Sequence, residues 1–323
     1  MKNILGDIFI SIACYRDPEV IPTVKDAYEK AKYKSNIIFG IYAQMSDEDE
    51  KLDFSFLDPK QIRLLVKSNL KARGPSYARY IIYNNLYKDE LYYLQIDSHT
   101  RFIENWDEEL VDMLSSLNAN SVISTYPRGY QLKSDKLVSS DSMNILKIKR
   151  IKDGVPILSS YTEKLEAPKR NLFWAAGYSF CYGAIFKFVP FDPYLKNLFW
   201  GEEFLMSLRF FTNKIKIYTP HKHIIFTLWT RNYRHTFWEL KEILGSKFQI
   251  YGFLSMLRLC EIGKLHNAGI FKEKVSAHLD KYGVGNKKTI EEYYKKSGIG
   301  ELVAKEDYDK ILSAIYFSLN KDL

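Results

Sequence analysis

Four short apolar runs punctuate the first hundred residues, and helical patterns separate the first from the second and the third from the fourth. Residues 7–14 and 36–43 are the first two runs, both rich in β-branched side chains. Between them Pro22 sits where a first helical turn starts, and Val24, Ala27, Tyr28 and Ala31 recur at helical spacing. The third run, Ile62 to Val66, leads through Arg73-Gly-Pro-Ser-Tyr-Ala-Arg79 to a second helical set, Ala78, Ile81, Ile82 and Leu86. Leu91-Tyr-Tyr-Leu-Gln-Ile96 is then a strand by composition. Strand and helix in alternation predict an α/β fold with a mostly parallel central sheet and helices packed on it.

Further along, Asn105 precedes Trp106-Asp-Glu108, which predicts a helix cap with Glu three residues on, and Leu110, Met113, Leu114 and Leu117 give that helix a buried stripe. A strand is expected over 121–126. The stretch Pro127 to Lys169 is polar, rich in Ser and Lys and poorly periodic, so it reads as a long mobile loop that closes over a site. A helix is expected after Gly201, opening on Glu202-Glu203, and strands over Lys216–Tyr218 and His223–Trp229. Beyond about residue 238 the pattern turns helical and Lys-rich. This divides the chain into an α/β domain over 1–236 and a helical region over 237–323.

At 323 residues, with 46% hydrophobic and 27% charged side chains, the chain is globular and long enough to bury a core without cross-links. Its three cysteines, Cys14, Cys181 and Cys260, are far apart, which excludes a disulfide framework and a CxxC metal knuckle and suits a reducing compartment such as the cytoplasm. Asp7 interrupts the apolar N-terminus where a signal peptide needs an unbroken stretch. The formal charge of +8 fits an anionic partner: a nucleotide, a nucleic acid or a membrane surface reached by peripheral contact. No nucleic-acid motif accompanies it, so no nucleic-acid partner is expected.

Ligands of open α/β sheets bind at the carboxyl ends of the strands, and Gln95-Ile-Asp97-Ser-His99 stands at such an end. An Asp and a His two apart on an extended turn point the same way and can share a cation. Carboxylate oxygen with imidazole nitrogen suits Mn2+ better than Ca2+, with Mg2+ as the second candidate. The same turn also occurs where an Asp only caps local backbone.

Ser11-Ile-Ala-Cys-Tyr-Arg-Asp17, Arg73-Gly-Pro-Ser-Tyr-Ala-Arg79, Tyr92-Tyr-Leu-Gln-Ile-Asp-Ser-His99, Ala175-Ala-Gly177, Trp200-Gly-Glu-Glu203 and Leu228-Trp-Thr-Arg231 occur in one order over residues 7–240. Together they resemble the GlcNAc-transferases of glycosyltransferase family 60, a family similar to the polypeptide GalNAc-transferases. The resemblance implies a GT-A fold and a retaining, metal-dependent transfer of GlcNAc from UDP-GlcNAc to a hydroxyl of a protein or glycan. In it Asp97 and His99 are metal ligands. Arg16, Asp17, Arg73, Tyr77, Arg79, Gln95, Ser98, Ala176, Gly177 and Trp200 bind the donor. Glu202 or Glu203 acts at the reacting sugar, with Glu203 favoured because the similar GalNAc-transferases carry a single acid at its position. A third metal ligand is expected where Thr227 stands, and His223, four residues earlier on the same strand face, is the substitute candidate. Two alternatives remain: a transferase that uses another UDP-sugar to build a surface polysaccharide or lipid-linked glycan, and a non-enzymatic basic binding module.

Overall fold

The computed structural model describes residues 6–152, 154–266 and 268–303; the first five residues and the last twenty of the expected helical region lie outside the described residues. The chain begins β1 (Ile8–Tyr15), α1 (Val20–Lys30), β2 (Ile37–Met45), β3 (Ile62–Ser68), α2 (Pro75–Asn85) and β4 (Tyr92–Asp97). It continues β5 (Thr100–Phe102), α3 (Trp106–Ser115), β6 (Ser121–Ser124), β7 (Arg128–Gly129), β8 (Met143–Lys152), β9 (Val155–Glu163), β10 (Lys169–Asn171) and β11 (Tyr178–Tyr182). Then come α4 (Ile185–Phe188), α5 (Glu202–Thr212), β12 (Lys216–Thr219), β13 (Ile225–Thr227), α6 (Leu240–Leu244) and α7 (Ser246–Gly263), with short helices up to Val303.

Eight strands form the central sheet in the order β10-β12-β6-β11-β4-β1-β2-β3. β3, β2, β1, β4, β6 and β12 run parallel, and β11 and β10 run against them. The central strands β1 and β4 are apolar almost throughout because helices cover both faces. At the edge, β3 alternates Arg63 and Lys67 with apolar residues and is largely exposed, which discourages pairing with another chain. A three-stranded sheet, β5-β13-β7, and the β8–β9 hairpin stand beside the main sheet.

Three expectations are corrected here. Asn105 does not cap α3: it adopts a left-handed conformation (φ 56°) and makes no capping hydrogen bond. Instead Asp107 accepts from the backbone N–H groups of Lys32 and Tyr33, and Trp106 donates to the Ala27 carbonyl, so α3 is fastened to the end of α1. The stretch 127–169 is not a structureless loop but holds β7 and the whole β8–β9 hairpin. The strand expected over 223–229 is only Ile225–Thr227.

Helices after residue 236 share one core with the sheet layer. Leu257, Leu259 and Tyr293 pack with Phe204, Leu208 of α5 and Val155 of β9. No helix among the described residues is long and apolar enough to cross a membrane.

Candidate active site

A cavity of about 400 Å³ opens at the carboxyl ends of the parallel strands, a volume within the usual range for ligand sites. Tyr15 at the end of β1, Gln44 of β2, Asp97 of β4 and Tyr126 after β6 all reach it, as does Gly177 just before the antiparallel β11. The starts of α2 and α5 form its walls with Arg79, Glu202 and Glu203. The segment after β13 covers one side with Trp229, Arg231, Arg234 and Trp238.

Asp97 ends β4, and Ser98 and His99 turn the chain into β5. Behind them Asp17 is fully buried. Its Oδ2 lies 2.8 Å from His99 Nδ1 and 2.6 Å from Ser98 Oγ, its Oδ1 accepts from Tyr233 at 3.1 Å, and Arg234 pairs with it at 3.2 Å. Burial pushes the Asp17 carboxyl up, but His99, Arg234 and Ser98 together outweigh it and hold the group below its ordinary value. A carboxylate against one ring nitrogen of a histidine fixes the ring's orientation, the arrangement common behind metal-ligating imidazoles.

Arg79 joins this turn to the acidic pair. It hydrogen-bonds Glu202 Oε2 and stands 3.7 Å from Asp97 Oδ1. Burial opposes its charge, but Glu202 and Asp97 together raise its pKa. Glu202 is 4% exposed, and its buried Oε1 has no hydrogen-bond partner among the described residues. Glu203 is differently placed: Oε1 accepts from the Ala176 N–H at 3.0 Å and Oε2 from the Tyr126 hydroxyl at 2.5 Å. Burial pushes its carboxyl up to about 7 against the pull of those two donors. Gln95 donates to the Ala176 carbonyl, so that peptide is held from both sides. At Gly177 an added Cβ would lie 2.7 Å from Asp97 Oδ2, so only glycine lets the chain pass this close to the carboxylate.

Of the residues singled out from sequence, Arg79, Asp97, Ser98, His99, Ala176, Gly177, Trp200, Glu202 and Glu203 line the one cavity. Asp17 and Gln95 stand one layer behind it, holding His99 and the Ala176 carbonyl. Four are corrected. Arg16 forms ion pairs with Asp49 at 2.9 Å and Glu239 at 3.0 Å and lies outside the cavity lining. Arg73 turns back on the carbonyls of Leu70 and Ala72 and stacks over Tyr251. Tyr77 packs on Tyr80 beneath Lys196. His223 precedes β13, lies outside the cavity lining and meets the Ser142 carbonyl through Nε2 at 3.1 Å.

Sequence reasoning gave no role to Tyr126, Trp229, Arg231, Arg234 or Trp238. Arg231 closes one of the recognised motifs, and its guanidinium lies over the Phe199 ring with no ion pair among the described residues. The signal for the tryptophans is exposure: Trp106 and Trp174 are fully buried, whereas Trp200, Trp229 and Trp238 are 49%, 56% and 38% exposed at the cavity. Such a concentration of exposed rings marks a binding surface.

A divalent cation fits the Asp97–His99 turn on chemistry: a carboxylate and a carboxylate-oriented imidazole line one cavity, and glycine clears the space beside the carboxylate. Among the described residues no cluster of three His, Cys, Asp or Glu side chains completes a protein-only metal site. Thr227, paired with Thr100 across β13 and β5, lines the cavity where a third ligand was expected.

A strand-edge cavity of this kind, on a mostly parallel sheet flanked by a smaller one, stands where open α/β folds bind their ligands. The crystal structure of GalNAc-T7 with UDP, GalNAc and Mn2+ superposes with a TM-score of 0.64 at 13% identity. The alignment covers 93% of this chain and 58% of the GalNAc-T7 chain, so the fold is common to both while the present chain spans little more than half of its neighbour. Among curated proteins none matches. The chain belongs to the family described as "Glycosyltransferase (GlcNAc)", whose sequence pattern matches residues 7–59 and 52–302.

Proposed function

We propose that this enzyme transfers N-acetylglucosamine from UDP-GlcNAc to a hydroxyl of a protein or glycan acceptor, with retention of configuration and with a divalent cation, Mn2+ before Mg2+. The observation that carries the reading is the Asp97–His99 turn, backed by Asp17 and bridged by Arg79 to Glu202, in a cavity at the carboxyl edge of the sheet. The neighbouring fold holds UDP, GalNAc and Mn2+ in its own crystal, which supports a nucleotide-sugar donor here.

A cation on Asp97 and His99 would supply charge neutralisation at the diphosphate as it leaves. The chain's own residues do the rest. Arg231 and Arg234 face the cavity with guanidinium groups, whose planar fork suits phosphate oxygens. Arg79 keeps Asp97 and Glu202 at fixed separation, so donor and sugar are oriented by one rigid unit. Glu202 Oε1 accepts a hydrogen bond from a sugar hydroxyl. Glu203 fixes the Ala176 peptide and Tyr126 against the sugar pocket. The anomeric C–O bond breaks with its electron pair on the departing phosphate oxygen. The acceptor oxygen bonds to the anomeric carbon from the same face, and its proton passes to that phosphate oxygen. No protein base is required, and the protein contributes electrostatic stabilisation and positioning.

One observation favours a glycan acceptor: the exposed faces of Trp200 and Trp229 at the mouth suit the flat apolar face of a pyranose. With a different UDP-sugar the same site would serve a surface polysaccharide or lipid-linked glycan. The three cysteines are all free and buried, which supports a reducing compartment such as the cytoplasm. A panel of nucleotide-sugars, each assayed for release of free nucleotide with and without Mn2+, tests the reading. UDP-GlcNAc with Mn2+ should be turned over fastest; turnover of a non-uridine donor, or of none, would refute it.

A further inference from the structure

The far end of α5 gathers positive charge that the cavity does not use. α5 starts at the cavity with Glu202 and ends at Thr212, about 16 Å further along its axis. There a later part of the chain returns, and the backbone N–H groups of Lys287 and Lys288 both donate to the Thr212 carbonyl, at 3.0 and 3.1 Å. Lys288 lies over the Phe211 ring at 4.5 Å, and Lys296 of the helix Ile290–Ser297 reaches the same ring at 5.9 Å. Lys214 follows α5, and Arg170 of β10 lies over Tyr218 of the adjoining β12 at 5.6 Å. Lys287 stands 5.7 Å from the ring of Phe188 in α4, and that residue is 66% exposed.

These cations repel one another and have little acid to balance them. None of Arg170, Lys214, Lys287, Lys288 and Lys296 forms an ion pair among the described residues, whereas cations beside them do: Lys169 with Glu163 at 2.6 Å and Lys187 with Asp89 at 2.8 Å. Glu291 turns to Lys264, and Glu292 accepts from the Thr289 N–H to cap its own helix. Burial pushes the Lys288 ammonium below its usual pKa, and Lys296, Arg170 and Lys214 push the same way against Glu292. Cations gathered at the C-terminal end of a helix have two physical uses: they offset the helix dipole, or they attract an anion. The dipole accounts for neither Arg170, which comes from the sheet edge, nor the uncharged Phe188. An exposed apolar ring among unpaired cations also has no use for a free phosphate. It suits a lipid surface, whose headgroups take the charge and whose acyl boundary takes the ring.

We propose that the surface formed by Arg170, Lys214, Lys287, Lys288, Lys296 and Phe188 docks the enzyme on an anionic lipid membrane, with Phe188 entering the headgroup layer. This surface lies at the amino edge of the parallel sheet, where β12 begins, and the cavity lies at the carboxyl edge. The docked enzyme therefore turns its mouth away from the lipid. The transferase reading is independent of this docking, because no step of the transfer uses these residues.

The test sediments the full chain with vesicles of mixed phosphatidylcholine and phosphatidylglycerol, and with vesicles of phosphatidylcholine alone. Binding should need the anionic lipid and weaken as salt rises. Each basic residue near such a surface contributes about fivefold to partitioning, so Lys214→Gln, Lys288→Gln and Lys296→Gln together should lower it by about 100-fold. The melting temperature of that triple variant should stay level or rise, because repulsion is relieved. Lys147→Gln, Lys149→Gln and Arg150→Gln of β8 remove the same charge elsewhere and should leave partitioning near wild type. Phe188→Ser should weaken partitioning by about tenfold. Lys296→Gln alone, at an exposed position, serves should the triple variant fail to fold, with about a fivefold loss expected.

Partitioning that ignores phosphatidylglycerol, equal losses in the two triple variants, or no vesicle binding at all would overturn the inference. So would a Lys214, Lys288 and Lys296 variant that binds vesicles as wild type does and melts earlier, since the cations would then serve only the end of α5. Nucleotide release from UDP-GlcNAc should be the same for this variant and wild type in solution. Absence of that release in wild type would refute the transferase reading and leave the docking surface standing.

Discussion

Adjacent acids with unlike surroundings take unlike roles. Glu203 spends both oxygens on Ala176 and Tyr126, whereas Glu202 keeps Oε1 free and gives Oε2 to Arg79. Glu202→Gln should lower turnover by at least about 100-fold, on the positioning argument, and should also lower the melting temperature, because it leaves the buried Arg79 short of a counter-charge. Glu203→Gln can still accept from Ala176 and donate to Tyr126, and its effect should depend on pH. The carboxyl ionises near 4.5 in an unfolded chain and at about 7 in the fold, so the folded state binds the extra proton between those values. Wild-type stability is therefore full below pH 4.5 and falls as pH rises to about 7. The melting temperature of Glu203→Gln relative to wild type should climb between pH 5 and pH 8; a constant difference would show that the carboxyl does not titrate there. The Asp97–His99 turn was legible in sequence because its residues are two apart and follow a recognisable strand. The ion pairs of Arg16 were not legible, because its partners Asp49 and Glu239 are 33 and 223 residues away and nothing local announces either.

Among the elements, the β8–β9 hairpin departs furthest from the sequence reading. β8 buries Met143, Ile145 and Leu146, then turns polar, and its pairing slips between Ile148 and Arg150. That bulge breaks the two-residue alternation by which a strand is recognised. The hairpin also forms part of the cavity wall through Pro156, Ile157 and Leu158, which the expectation of a mobile lid did not foresee. Gly201 at the start of α5 ties hairpin, helix and site together. Its φ is +96°, and a Cβ there would fall 2.3 Å from Leu259 and 2.6 Å from Val155. Gly201→Ala should destabilise the protein by about 1–3 kcal/mol through strain and overpacking, with Glu202 and Glu203 displaced as a result. Equal melting temperatures for variant and wild type would contradict this packing.

Across the whole molecule, the parallel sheet was readable because helices separate β1 from β2 and β3 from β4 at ordinary spacing. The joining of the C-terminal helices to the core was not. Leu257 and Tyr293 meet Phe204 and Leu208 across stretches of sequence that share no pattern. A chain ending at residue 236 should therefore lack a cooperative melting transition, since it exposes the apolar side of α5; a well-folded 1–236 fragment would show that the two regions are separable. The fold brings together at one sheet edge the turn that follows β4, the start of α5 and the segment that follows β13, and the central claim is that this edge is where a nucleotide-sugar donor reacts. Turnover of UDP-GlcNAc by Asp97→Asn in saturating Mn2+ tests that claim most directly. The variant should keep the wild-type melting profile and lose nucleotide release by at least about 100-fold, because the charge at the strand end is gone while the shape is kept. Wild-type turnover by Asp97→Asn would contradict it and move the reacting centre away from this turn.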